Sequence, residues 1–333
     1  MMSKTRRVIG WAFVGGSLLI QVLTVWSYAE QPDSLAAFTA FPIWVWGAIG
    51  LMMSIFAFSI LRAPLSLIVT SLWAITLAVT MDEAKVLTNF NHEVINPERQ
   101  NPSKNIQTIR VATVNCSNFR FGNPLEDLEK WDPDIVLLQE APPYFVKQTS
   151  EGLYGRRADF CAFMTSGIIT RFEIIREVRM PRMRNQQVTL RLPGGSEIEV
   201  VNLHLATAAI DMRVWNSQTR STHRINRDLR RKELSAVLNI LGQTSLFPAT
   251  PTIIGGDFNV VSTDAVHRQL VRDFDDSFSE VGRGWGNTFH RRFPILRIDH
   301  IYATRQLRPL SSGVIVSKKT DHRIVISDLV IRD

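Results

Sequence analysis

The chain has 333 residues, of which 45% are hydrophobic and 21% charged, with a formal net charge of +7. Residues 1–81 carry only Lys4, Arg6, Arg7, Arg62, Glu30 and Asp33, which leaves 34 basic and 29 acidic residues in the remaining 252. This split excludes a wholly soluble protein and a fully disordered one, and two cysteines exclude a disulfide framework or a cysteine-rich zinc domain.

Three uncharged stretches come first: Val8–Trp26 (19 residues), Phe41–Leu61 (21) and Leu65–Met81 (17). A bilayer core of about 30 Å needs about 20 apolar residues of helix, with about 17 as the lower limit. Backbone polar groups in lipid must be satisfied within the segment, so each stretch is expected to be a transmembrane helix. A cleaved signal peptide is the alternative for the first, because Lys4, Arg6 and Arg7 precede it. Its apolar run is long for that role, and two more runs follow at once. Lys4, Arg6 and Arg7 place the N-terminus inside, the acidic loop with Glu30 and Asp33 outside, and the Arg62-Ala63-Pro64 turn inside. Three crossings then put all that follows Met81 on the outer face of a plasma or inner membrane. Residues 1–81 therefore read as a multi-pass anchor with membrane lipid as partner. Residues 82–108, rich in Asn, Pro, Glu and Gln, read as a linker.

From residue 109 to 333 the pattern is that of an α/β (α+β) domain. Strand-like runs occur at 110–115, 135–139, 167–175, 187–192, 197–203, 252–256, 298–302 and 324–331. Helices are expected at 124–131 and 225–241, the second with Leu229, Leu234, Val237, Leu238 and Leu241 at helical spacing. Strands outnumber helices, which fits two packed sheets flanked by helices better than a βαβ alternation.

Most of the suggestive polar residues stand at strand ends: Asn115, Gln139-Glu140, Asn202, His204, Asp257, Asn259, Asp299 and Asp321-His322. Singly, an Asn or Asp after a strand is more often a turn residue. Together, strand ends converge on one rim of a sheet protein, where such groups meet.

The ordered motifs VN(115), QE(140), NLHL(202–205), GGDFN(255–259), IDHI(298–301) and TDH(320–322) resemble the endonuclease/exonuclease/phosphatase superfamily. The resemblance covers about residues 108–333 and implies a four-layered deoxyribonuclease-I-like sandwich. It departs from the common pattern at Thr320, usually Ser, and at Phe289 after Thr288, usually Trp; neither change removes a titratable group. It implies a Mg²⁺ site, with Mn²⁺ as an alternative, at Glu140 and Asn115, supplemented by Asp321. It also implies catalytic parts for His204, Asp257, Asn259, Asp299 and His322. Asp257 would orient or deprotonate water, Asn259 and His204 would contact phosphate, and Asp299 would hold His322. Which of Asp257 and His322 is the base stays open. His300 adjoins Asp299 but is expected on the opposite face of its strand. His223, expected in a mobile basic stretch, and His267, expected in a helix, are poor ligand candidates.

Cys116 and Cys161 could pair outside the cytoplasm, with two buried free thiols as the preferred reading. The basic stretch 206–232, with Trp215, Arg213, Arg220, Arg224, Arg227, Arg230, Arg231 and Lys232, suits a phosphate-rich partner or an ordinary solvated helix face. The expectation is a membrane-tethered, metal-dependent hydrolase acting on a phosphoester in nucleic acid or a phospholipid-type molecule. The alternative is a non-catalytic phosphate- or lipid-binding membrane protein that keeps the fold.

Overall fold

The computed structural model describes residues 3–86, 88–98, 108–155, 158–180, 184–207 and 213–331. Contacts divide the chain into two compact units. One comprises residues 1–85, 209–225 and 263–265; the other comprises 86–208, 226–262 and 266–333.

The first unit is built on α1 (Lys4–Glu30), α2 (Ala36–Thr39), α3 (Ile43–Leu61) and α4 (Pro64–Thr80). Ser3 caps α1 by accepting the Arg6 N–H, and Pro64 opens α4, where a missing N–H costs nothing. The packing is inverted relative to a water-soluble bundle. Small and polar residues lie inside: Gly10, Ser17, Gln21, Thr24, Gly47, Gly50 and Ser54. Ser17 Oγ donates to the Gly50 carbonyl (2.8 Å) and accepts from buried Trp73 Nε1 (3.1 Å). A Cβ on Gly50 would stand 2.1 Å from the Trp73 ring, so α3 and α4 pack this closely only over glycine. Large apolar residues face outward, among them Leu19, Val22, Met52, Ile55, Ile75 and Val79. Among the described residues, α1 and α3 are long and apolar enough to cross a membrane. The third expected span corresponds to α4, whose 17 residues reach only about 26 Å at 1.5 Å per residue. The expected linker is in part regular, because Asp82–Val86 forms the short helix α5.

The second unit holds two six-stranded mixed sheets. The first contains β1 (Thr108–Asn115), β2 (Ile135–Gln139), β3 (Asp159–Phe163), β4 (Ser166–Thr170), β11 (Leu307–Ile315) and β12 (Ile324–Ile331), in the order β11-β12-β1-β2-β4-β3. The second contains β5 (Glu173–Arg179), β6 (Gln186–Arg191), β7 (Glu197–His204), β8 (Thr252–Asp257), β9 (Phe274–Asp276) and β10 (Asp299–Thr304), in the order β5-β6-β7-β8-β10-β9. Each sheet has one parallel pair at its centre, β1 with β2 and β7 with β8. Alternate residues such as Ile109/Val111, Ile135/Leu137, Val188/Leu190 and Ile198/Val200 fill the core between the sheets. Helix α6 (Pro143–Tyr154) covers the outer face of the first sheet through Val146. Helix α7 (Ser217–Thr244) covers that of the second through Leu234, Val237 and Leu241. The result is the expected sandwich of two sheets flanked by helices.

Several local expectations need correction. The run 167–175 is two strands, β4 and β5, in different sheets, because the chain turns at Arg171-Phe172. Residues 124–131 form two 3-10 turns separated at Leu128 rather than an α-helix. Helix α7 begins eight residues before its apolar periodicity, so His223 is helical and buried. The short strands β3 and β9, the edge strand β11 and the helices α6 and α8 (Ser277–Val281) are not among the expected elements. Cys116 lies in the outer core of the first sheet and Cys161 between the sheets; both are free, and burial pushes both thiol pKa values up.

Gly256 is the tightest point of the second sheet. Its φ is +140°, and a Cβ there would meet the Leu203 carbonyl oxygen at 2.0 Å. Gly256→Ala is therefore expected to cost about 2–6 kcal/mol, the sum of backbone strain and overpacking. Thermal unfolding of the full chain should show a large drop in Tm or no folded protein.

Candidate active site

Strand register gathers the polar residues at one rim. Asn115 and Gln139 pair at the C-terminal ends of β1 and β2, and His204 and Asp257 at those of β7 and β8. Antiparallel β10 begins where β8 ends, so Asp299 stands directly opposite Asp257. Glu140 follows β2 and Asn259 follows β8, both with positive φ (52° and 54°), conformations that re-aim side chains at a strand end.

The residues singled out in the sequence are joined by short links. Asn115 Nδ2 donates to Asp257 Oδ2 (3.0 Å), and the Asn259 N–H donates to Asp257 Oδ1 (2.8 Å). His204 Nε2 lies 3.9 Å from both Glu140 Oε1 and Asp257 Oδ2. His322 Nδ1 is 2.9 Å from Asp299 Oδ2. Asp321 bonds the Ser117 hydroxyl, and the Ser117 N–H donates to Asn115 Oδ1 (2.9 Å). The Asn259 side chain is turned to the Leu205 carbonyl (3.1 Å). Asn202, by contrast, is a tie between the sheets: it accepts from Gln139 (2.7 Å) and donates to the carbonyls of Leu138 and Gly167. His300 faces away, onto Asp276 (3.0 Å), and His267 bonds Tyr302 (2.9 Å).

Burial and neighbouring charge set the protonation states. Burial, followed by the opposing Asp299 carboxylate, raises Asp257 to about 7. Burial opposes charge on His322, but Asp299, Asp257 and Asp321 outweigh it and raise the imidazole to about 10. Burial, Arg184 and His322 lower His204 to about 4, so it is neutral at pH 7 and its 3.9 Å approaches to carboxylates are not ion pairs. The His322 ring, charged and committed to Asp299 through Nδ1, carries a second proton on Nε2.

Among the described residues, one set of His, Cys, Asp and Glu atoms lies close enough to hold an ion. Asp257, Asp299 and His322 offer atoms within 4.8 Å of one another, all buried. Asp299 Oδ1 has no hydrogen-bond partner among the described residues. Carboxylates outnumber cations in this cluster, and most of the donors are oxygens, which suits a hard divalent cation.

Sequence reasoning assigned no role to the supporting residues. Ser117 bonds Thr320 (2.7 Å), whose hydroxyl donates to the Asn115 carbonyl (2.7 Å). Asn118 bonds Glu140 (2.5 Å), and Asn185 accepts the His204 N–H (2.8 Å). Thr288 Oγ1 accepts the Asp299 N–H (3.2 Å), and Phe289 packs on the His322 ring at 5.0 Å. Ser117 and Asn118 adjoin the VN motif, their only signal, whereas Thr288 and Thr320 belong to the motif pattern itself. Asn185 had none. In the basic stretch, residues 208–212 lie outside the described residues, while Arg227 and Arg230 are buried rather than solvated.

The raised His322 predicts a pH effect. Stability from its pairing with Asp299 is full below the ordinary histidine pKa of about 6.5 and is lost as pH rises through about 10. The Tm gap between the parent and Asp299→Asn should be widest below about pH 6.5 and narrow toward pH 10. NMR titration of His322 in the variant should show a lower pKa.

Comparisons with known proteins agree with this architecture. The model of the Endonuclease/Exonuclease/phosphatase family matches residues 112–322, well over half of the chain. A Bacteroides thetaiotaomicron endonuclease/exonuclease/phosphatase family protein is similar, with a TM-score of 0.56 and 18% identity over 68% of this chain and 99% of that one. The mannosyl-6-phosphatase of the same species gives 0.54 and 18% over 67% and 100%. D. rerio TDP2 complexed with a single-strand DNA product gives 0.51 and 15% over 67% and 99%. No curated protein sequence matches the chain. The chain belongs to the endonuclease/exonuclease/phosphatase family, and its buried Asp/Asp/His cluster makes it a hydrolase of phosphoester bonds.

Proposed function

We propose that this chain is a membrane-tethered, Mg²⁺-dependent phosphoesterase, with residues 1–81 as anchor, 82–108 as linker and 109–333 as catalytic domain. The convergence of Asp257, Asp299, His322, Glu140, Asn115 and His204 on one rim carries the reading. Glu140 and Asn115 would hold the cation, supplemented by Asp321. Glu140 and Asn115 are favoured over His322 because its Nδ1 is already bonded to Asp299. The cation, when bound, supplies Lewis-acid polarisation of the phosphoryl oxygens.

The protein's own residues do the rest. Asp257, with a pKa near neutrality, orients water and accepts its proton as the oxygen attacks phosphorus. Protonated His322, fixed by Asp299, donates a hydrogen bond from Nε2 to the charge that develops on phosphoryl oxygen. Neutral His204 and the Asn259 amide contact the phosphate. The bond from phosphorus to the ester oxygen breaks, leaving an alcohol and a phosphate or phosphomonoester.

Three membrane spans are supported by the inverted packing of α1, α3 and α4, with α4 accommodated by close glycine packing. The charge pattern favours an outward catalytic domain. Related structures include a sugar phosphatase and a DNA complex, so the fold accommodates both phosphomonoesters and nucleic acid, and the substrate rests between nucleic acid and phospholipid.

Asp257→Ala should lower kcat by about 10²–10⁴-fold with the fold intact by circular dichroism. Unchanged turnover would take the proton-acceptor part away from Asp257, and absence of turnover in the parent would leave the binding-protein reading instead. Glu140→Gln should raise the Mg²⁺ concentration for half-maximal activity by about tenfold or more. His322→Ala should lower kcat without moving that midpoint, whereas a shift would assign the cation to the Asp257/Asp299/His322 set.

A further inference from the structure

Residues 281–298 contain Arg283, Arg291, Arg292 and Arg297 and no Asp or Glu. Arg297 turns inward to Asp276 (2.7 Å), and Arg283 bonds the His92 carbonyl (3.1 Å). Arg291 and Arg292 stay toward the surface, together with two large apolar side chains, Trp285 (49% exposed) and Phe293 (76% exposed). Trp285 Nε1 donates to the Pro294 carbonyl (2.8 Å), which ties the two ends of the loop together and presents Phe293 outward. The Arg291 guanidinium lies 4.4 Å from the ring centroid of Phe121, itself 41% exposed, and Arg291 bonds the carbonyl of exposed Lys318. Cations and aromatics thus form one continuous surface.

This surface is wired to the reacting groups. The Arg291 N–H donates to the Asp321 carbonyl (2.8 Å), and the Arg323 N–H donates to the Thr288 carbonyl (2.8 Å). Phe289 pairs with His322 in a β-bridge. Whatever the loop binds lies beside the catalytic rim.

We propose that the loop 283–296, with Phe121 and Lys318, docks on an anionic phospholipid surface, and that the substrate is a phosphodiester of a membrane lipid. Cationic side chains suit acidic headgroups, while Trp and Phe suit the interface between headgroups and acyl chains. Stacking on single-stranded nucleic acid would use similar groups. The lipid is favoured because the same chain carries an apolar helical unit with its large side chains outward. The inference rests on the phosphoesterase reading and names its substrate class. Water adds to phosphorus, the ester oxygen leaves with a proton as an alcohol, and a phosphomonoester remains.

The test uses the full chain in phosphatidylcholine discs with or without phosphatidylglycerol. Phe293→Cys is labelled with an environment-sensitive fluorophore, the native cysteines being buried. Leu246→Cys, at a site also highly exposed, is the control. Blue-shifted emission from position 293 alone, stronger in the anionic discs, is the expected result and does not depend on activity. Phe293→Ser and Arg292→Ser should lower hydrolysis of disc phosphodiesters about tenfold and leave hydrolysis of soluble bis(p-nitrophenyl) phosphate unchanged. Emission equal to that of the control overturns the proposal. So does a loss on single-stranded DNA with lipid turnover unaffected. Failure of the parent on both disc and soluble diesters, with the emission shift present, would instead sink the phosphoesterase reading and leave the docking surface standing.

Discussion

Two buried carboxylates face each other across a strand pair, and the rest of the site follows from that constraint. Asp257 and Asp299 are register partners on β8 and β10, with almost no access to water. Like charges opposite one another in a sheet are unfavourable, and burial compounds the cost. The surroundings offset it piecemeal. Asn115 and the Asn259 N–H bond Asp257, and His322 becomes a cation against Asp299. Negative charge still exceeds positive, which is the condition for drawing in a divalent cation and then an anionic phosphate beside it.

The fold supplies the rigidity that such an arrangement requires. A sheet end defines side-chain positions more closely than a loop, and two sheets with the same central parallel pair deliver four strand ends to one rim. Behind β10, burial opposes ionisation of Asp276, yet Arg297 and His300 outweigh it and keep the carboxyl well below its usual range. That network fixes the far face of the strand that presents Asp299. Asn202 and Gln139 join the sheets close to the same end. Removing one member of these buried sets would leave a partner desolvated and unpaired.

The two units distribute their apolar side chains differently. In the catalytic unit, Val, Ile and Leu turn inward between the sheets. In the helical unit, glycine and hydroxyl residues turn inward and Leu, Met and Ile turn outward. Such packing suits a solvent without water, where backbone groups are satisfied within helices and close packing replaces the hydrophobic effect. A basic, aromatic loop beside the catalytic rim would bring the second unit's chemistry to that same solvent boundary.

The residues themselves determined the class of each half. Uncharged runs of 17 to 21 residues and β-rich alternation are local signals, and an ordered set of strand-end motifs marked the rim where the polar residues gather. What the tertiary structure alone decided is relational. The break between β4 and β5 was invisible because both halves are apolar, and each pairs in a different sheet. The roles of Ser117, Asn185 and Thr288 depend on partners 11 to 204 residues away, which no local pattern encodes. The protonation states were equally beyond the sequence. An Asp near neutrality and a histidine charged well above it arise from burial and opposing charge, and both are properties of the folded arrangement rather than of the residue types.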